Sequence, residues 1–157
     1  IDRQYADRNG RFDLTGFFWD REHRRKNQKV PICLMEIKFG LNPDIKKLSD
    51  QLSRYYNAIK LKPENFVNEM QAVFRQKVEL GLFDQQTPGR IAALRSLKFI
   101  KAIEDFQFIL ILVDYNPNSC LLNLHSLSKL PFSKQIKVFY SGFAMWKQNV
   151  KSLDSVL

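Results

Sequence analysis

Residues 32–41 read Ile-Cys-Leu-Met-Glu-Ile-Lys-Phe-Gly-Leu, an apolar strand-like run broken by one carboxylate and one amine. Strand side chains alternate with a period of two, so Glu36 and Lys38 must share a face. Residues 30–39 are otherwise apolar on both faces, the pattern of a central strand covered on each side. A charge is costly to bury without a partner, and both ions stand where Ile or Val is expected. The run therefore sets the middle of a sheet and marks one place on it as chemical.

The rest of the chain is read outward from this strand. Residues 3–8 form a short polar strand that ends at Asn9-Gly10, a strong two-residue hairpin signal. The returning strand, 11–18, places Phe12 and Leu14 on one face and Asp13 and Thr15 on the other. A polar connection over 19–29 carries Arg21, Arg24, Arg25, Lys26 and Lys29. After the central strand, Asn42-Pro43 opens a helix, with Asn as cap and Pro at the first helical position. Leu48, Leu52, Tyr55, Tyr56 and Ile59 then repeat as one apolar stripe.

Helical spacing continues over 64–80 (Phe66, Met70, Val73, Phe74) and 89–103 (Ile91, Leu94, Leu97, Ile100), separated by Thr87-Pro88-Gly89. A buried strand over 106–113 stops at Asn116-Pro117, residues 121–130 suit a short helix, and 135–146 form the last strand, with Val138, Tyr140 and Phe143 apolar. The expected fold is α/β: a mixed central sheet with a three-strand antiparallel meander, flanked by helices. The 157 residues suit a single domain with a helical insertion at about 63–104.

Charge narrows the partners. Lys and Arg number 25 against 16 Asp and Glu, a formal +9, which favours polyanions, nucleic acid before acidic membrane surfaces. The longest apolar run, 108–113, is far short of a membrane span, so no membrane is expected. Cys33 and Cys120 lie in apolar strand-like segments without CxxC spacing, and His23 and His125 are isolated, so neither a disulfide framework nor a zinc site is indicated. A reducing, cytoplasmic setting is the simplest reading.

Three elements fall in order along the first third of the chain. Gly10-Arg11-Phe12-Asp13 sets a carboxylate on the second strand, Glu36-Ile37-Lys38 lies on its neighbour, and Gln51-Leu52-Ser53-Arg54-Tyr55 projects an amide and a phenol from one side of the following helix. This order resembles the PD-(D/E)xK nuclease superfamily, in particular its RecB-like branch, with the pattern GxxD, (E/D)xK, QxxxY. The likeness covers about residues 3–59. It implies a restriction-endonuclease-like fold and a divalent-metal phosphodiesterase, acting on DNA more readily than RNA, in repair or in defence against foreign DNA.

Elementary chemistry agrees with what the resemblance implies. Mg²⁺ takes hard oxygen ligands and is commonly held by one or two carboxylates plus substrate phosphate. Asp13 and Glu36 would supply the carboxylates and the Ile37 carbonyl a further oxygen, with Mn²⁺ able to substitute. Lys38 would orient the attacking water or stabilise charge growing on phosphate. Gln51 and Tyr55 would position substrate or ligands. Lys46, Lys47 and Arg54, with the basic residues of 19–29, are candidates to touch a nucleic-acid backbone. Lys46 and Lys47 stand near a helix N-terminus, where the helix dipole disfavours cations, so a phosphate partner would rationalise them. Trp19, Phe17 and Phe18 offer rings for stacking on unpaired bases.

Plainer roles exist for each residue: a solvated Asp13, an exposed Glu36–Lys38 pair on an open sheet, a packed Tyr55, a surface Gln51. An inactive nucleic-acid- or protein-binding module of the same fold is the alternative function. Many members of the superfamily carry an acid on a helix before the first strand; the sequence starts too late to show that position, and neither Asp2 nor Asp7 is assigned the role. A homodimer or larger assembly is compatible with the long helical stretch.

Overall fold

The computed structural model describes residues 2–3, 6–7, 10–20, 23, 29–116 and 119–142. Its first strands are short: β1 (Asp2–Arg3), β2 (Ala6–Asp7), β3 (Gly10–Arg11) and β4 (Leu14–Phe17). The central strand is β5 (Ile32–Phe39). A five-residue 3₁₀ turn, Pro43–Lys47, leads into helices α1 (Leu48–Leu61), α2 (Pro63–Glu79) and α3 (Pro88–Ser96). Strand β6 (Gln107–Val113), the short helix α4 (Leu124–Ser128) and strand β7 (Ile136–Ser141) follow.

The fold is α/β. Four strands form a mixed sheet in the order β4-β5-β6-β7, and β1 extends it beyond β4. The pairs β1–β4 and β4–β5 are antiparallel, whereas β5–β6 and β6–β7 are parallel. Parallel neighbours need a long crossover, and the helical stretch between β5 and β6 supplies it. On one face, register aligns Leu34, Glu36 and Lys38 of β5 with Phe108, Leu110 and Leu112 of β6. Helix α1 covers this face with Leu48, Leu52, Tyr55, Tyr56 and Ile59, all buried as their spacing requires. Tyr56 stacks on Phe132 at 4.1 Å between ring centroids and lies 5.9 Å from Phe108. The same core takes in Phe66, Val67, Phe74, Val78, Leu94 and Leu97 from α2, α3 and the residue after α3.

Several elements differ from the sequence reading. The returning strand is split: β3 pairs with β2 in a separate two-stranded sheet, and only β4 joins the main one. Gly10 pairs with Asp7 as a strand residue, while Asn9 lies outside the described residues. The helix capped by Asn42, whose side chain accepts from the Asp44 N–H, is 3₁₀ through Lys47 and becomes α-helical only at Leu48.

The helix expected over 89–103 ends at Ser96. Its continuation would leave the backbone of Val30 unpaired. Instead the Val30 N–H donates to the Lys98 carbonyl and the Ile100 N–H donates to the Val30 carbonyl, each at 2.9 Å. Gln71 holds the same segment, its amide nitrogen donating to the Leu97 carbonyl and its oxygen accepting from the Phe99 N–H, both at 3.0 Å. Buried backbone groups must be paired, and here that demand ends the helix.

The last strand is an edge strand. Its apolar residues Val138, Phe139 and Tyr140 are 39%, 59% and 47% exposed. Phe143, and Trp146 at the end of that predicted strand, lie outside the described residues. Cys33 is buried as expected, and burial pushes its thiol up to about 11, whereas Cys120 is exposed and outside any strand. Among the described residues, no helix is long and apolar enough to cross a membrane.

Candidate active site

The break between β3 and β4 creates the site. The ladder between β4 and β5 stops at Leu14–Met35, and Asp13 sits at a bend just before it. There the Ile37 N–H donates to Asp13 Oδ2 at 2.8 Å, so the carboxylate is held against β5 by that strand's own backbone. A carboxylate that accepts from a backbone amide makes a charge-assisted bond, stronger than a neutral one. Phe12, the preceding residue, is only 2% exposed and packs edge-on against Tyr55 of α1, ring centroids 4.6 Å apart.

Glu36 and Lys38 are 2% and 9% exposed, which removes the reading of a solvated pair on an open sheet. Lys38 Nζ donates to Glu36 Oε1 at 2.7 Å. Gln51 Nε2 reaches the same oxygen at 2.5 Å and lies 2.8 Å from the Tyr55 hydroxyl. One oxygen of Glu36 thus takes two donors. The other, Oε2, is buried and has no hydrogen-bond partner among the described residues.

Electrostatics reflects this asymmetry. Burial pushes the Glu36 carboxyl above its ordinary value. The Lys38 hydrogen bond and positive charge oppose that rise, the negative charge of Asp13 adds to it, and the Gln51 hydrogen bond opposes it in turn. Two carboxylates near enough to repel, one with an orphaned buried oxygen, form a place that a cation would stabilise. Among the described residues, no group of three or more His, Cys, Asp or Glu side chains could hold a metal. A site here would rest on two carboxylates completed by backbone oxygen, water or substrate phosphate, a set that fits the oxygen preference of Mg²⁺.

Of the residues singled out in the sequence, Asp13, Glu36, Lys38, Gln51 and Tyr55 are brought together. Ile37 contributes its N–H to Asp13, a role that spacing alone did not suggest. Lys46, Lys47 and Arg54 are exposed, the lysines on the 3₁₀ turn before α1 and Arg54 on α1 itself. Phe17 is half-buried against Phe74 and Phe99, centroids 5.0 and 5.6 Å away, so it serves the core and not a base. Phe18 is 46% exposed and Trp19 half-buried. Lys29 is exposed, whereas Arg21, Arg24, Arg25 and Lys26 lie outside the described residues.

Two features escaped sequence reading. One is the ring contact of Phe12, whose only signal was an aromatic residue directly before the acid. The other is Thr15, buried with a hydroxyl that lacks a partner among the described residues, where alternation grouped it with Asp13. No family model, curated protein or solved structure matches this chain.

Proposed function

We propose that the chain is a Mg²⁺-dependent nuclease of the PD-(D/E)xK type, RecB-like, with a restriction-endonuclease-like core, hydrolysing phosphodiester bonds of nucleic acid, DNA before RNA. The observation that carries this reading is the unpartnered, buried Oε2 of Glu36 beside the negative charge of Asp13. A stabilising role for a lone carboxylate oxygen in that position is hard to find, since an unsatisfied buried acceptor costs about 1–3 kcal/mol.

Asp13 and Glu36 would hold the ion, with the Ile37 carbonyl as a further oxygen. A bound Mg²⁺ supplies polarisation of the scissile phosphate and a lowered pKa for a coordinated water. The residues of the chain do the rest. The Ile37 N–H keeps Asp13 oriented by occupying Oδ2. Gln51 and Lys38 fix Glu36 through Oε1, which leaves Oε2 as the available ligand. The Lys38 ammonium, held 2.7 Å from that carboxylate, is placed to offset negative charge growing on the phosphate. Exposed Lys46, Lys47 and Arg54 would meet the nucleic-acid backbone, in keeping with the net charge of +9. Repair of DNA or defence against foreign DNA is the setting this chemistry suits.

The test is cleavage of a plasmid and of labelled oligonucleotides with Mg²⁺ or Mn²⁺, and with EDTA. Activity should require the metal and vanish in Asp13→Ala, Glu36→Ala and Lys38→Ala, each with a wild-type circular dichroism spectrum. Retained cleavage in all three variants refutes the site. The closed Lys38–Glu36 pair also favours a second reading, a binding module of the same fold without turnover. Salt-dependent binding of nucleic acid with no cleavage under any divalent metal would select it.

A further inference from the structure

Two halves of the candidate site come from different elements. Asp13 belongs to the bend before β4, and Glu36 is held from α1 through Gln51, itself hydrogen-bonded to Tyr55. Among the described residues, no hydrogen bond of the Gln51 chain reaches Asp13. The Ile37 amide ties Asp13 to β5, and its link to the α1 side is aromatic. Phe12 is covalently next to Asp13, and its ring meets Tyr55 at 4.6 Å with an interplanar angle of 62°, the edge-to-face arrangement that aromatic pairs favour. On another side it meets Phe108 of β6 at 5.9 Å.

We infer that Phe12 is a positioning residue: its ring, held between Tyr55 and Phe108, fixes the bend that aims Asp13 at the Ile37 amide and at Glu36. The inference rests on the nuclease reading for its catalytic consequence, but not for its geometric one. The bend lies outside the sheet ladder and is tied to β5 through the Ile37 amide, and the buried Phe12 ring supplies a second anchor on the α1 side. Shortening the ring while keeping the site apolar should release Asp13 without exposing the core.

The informative variant is Phe12→Leu, with Phe132→Leu as its control, since Phe132 is buried in the same aromatic cluster and packs on Tyr56 and Phe108, neither of them a site residue. Both substitutions remove one aromatic ring from one cluster, and their melting temperatures show how far each disturbs the core. In Phe12→Leu, Mn²⁺ affinity followed by electron paramagnetic resonance and kcat on an oligonucleotide should fall together, by about 10- to 100-fold. KM for the oligonucleotide should stay near wild type, because the exposed basic residues are untouched. Exchange of the Ile37 amide hydrogen should quicken by about 10-fold or more, the factor that losing a hydrogen bond to a charged group carries. Phe132→Leu should leave Mn²⁺ affinity and Ile37 exchange, relative to its melting temperature, where they were. Equal loss in the two variants overturns the inference. If the wild type neither binds Mn²⁺ nor cuts, the nuclease reading fails, and Ile37 exchange still decides whether Phe12 holds Asp13.

Discussion

Strands β5 and β7 belong to one sheet, separated only by β6, and they invert each other's rules. The central strand buries a carboxylate and an ammonium in its middle, while the edge strand shows Val138, Phe139 and Tyr140 to solvent. Sheet stability alone would exchange the two sets. A buried ion pair often gives no more stability than apolar residues of its size, and here one carboxylate oxygen has no partner among the described residues. Polar atoms placed in the wrong layer, at a break in the neighbouring strand, are what a site looks like before its ligand is known.

The sharpest way to break this comparison is to treat the β5 pair as purely structural. Glu36→Ala removes a proposed ligand and strands Lys38 in the core. Cleavage should fall by at least ~10²-fold, the scale of losing one charge-stabilising group. Unfolding free energy should drop by about 3–5 kcal/mol from the unpaired ammonium. The double variant Glu36→Leu/Lys38→Met separates the two effects. It should be as stable as wild type or up to about 4 kcal/mol more so by urea denaturation, and wholly inactive. A double variant that is markedly less stable would mean that the pair is there to hold the sheet.

Titration gives the next effect in size. The folded-state value of Glu36 is raised, mainly by burial, so the folded protein binds this proton more tightly than the unfolded chain does. Its contribution to stability is full below the ordinary carboxylate value and is lost as pH climbs through the raised one. Without metal, the melting temperature should therefore carry a term that declines with pH across that window. With Mn²⁺ the sign reverses, because only the ionised carboxylate is a ligand, and the stabilisation by metal grows over the same window. Melting curves with and without Mn²⁺ from acid to neutral pH test both slopes. Curves that stay parallel would remove Glu36 from the metal site.

Much of this was written in the chain order. The alternation of residues 32–39, the stripe of α1 and the spacing of Gln51 and Tyr55 are local patterns, and local patterns survive folding when nothing non-local competes. Where the reading failed, a distant partner had intervened. Val30 drew residues 98–100 out of a helix, and the Ile37 amide drew Asp13 out of a strand. Burial of Thr15 and the ring contact of Phe12 depend on which elements stack, which spacing does not encode. The apolar residues of β7 do not by themselves say whether it is covered: position in the sheet decides exposure, and β7 is last in the order.

Least in size, and a direct probe of the other half of the comparison, is substitution on β7. Phe139 is 59% exposed, so replacing it with Ser removes little area from any packed contact. The expected change in unfolding free energy is within about 0.5 kcal/mol, the range for surface positions. Cleavage should be unaltered, because Phe139 pairs in register with Ile111 of β6 and not with any site residue. Val138 shares the face of Leu110, and through it that of Glu36, so Val138→Thr tests whether that face still matters one strand further out. A loss of 2 kcal/mol or more at either position, far beyond the surface range of about 0.5 kcal/mol, would show that β7 is covered in solution and that its apolar residues obey the same rule as the core.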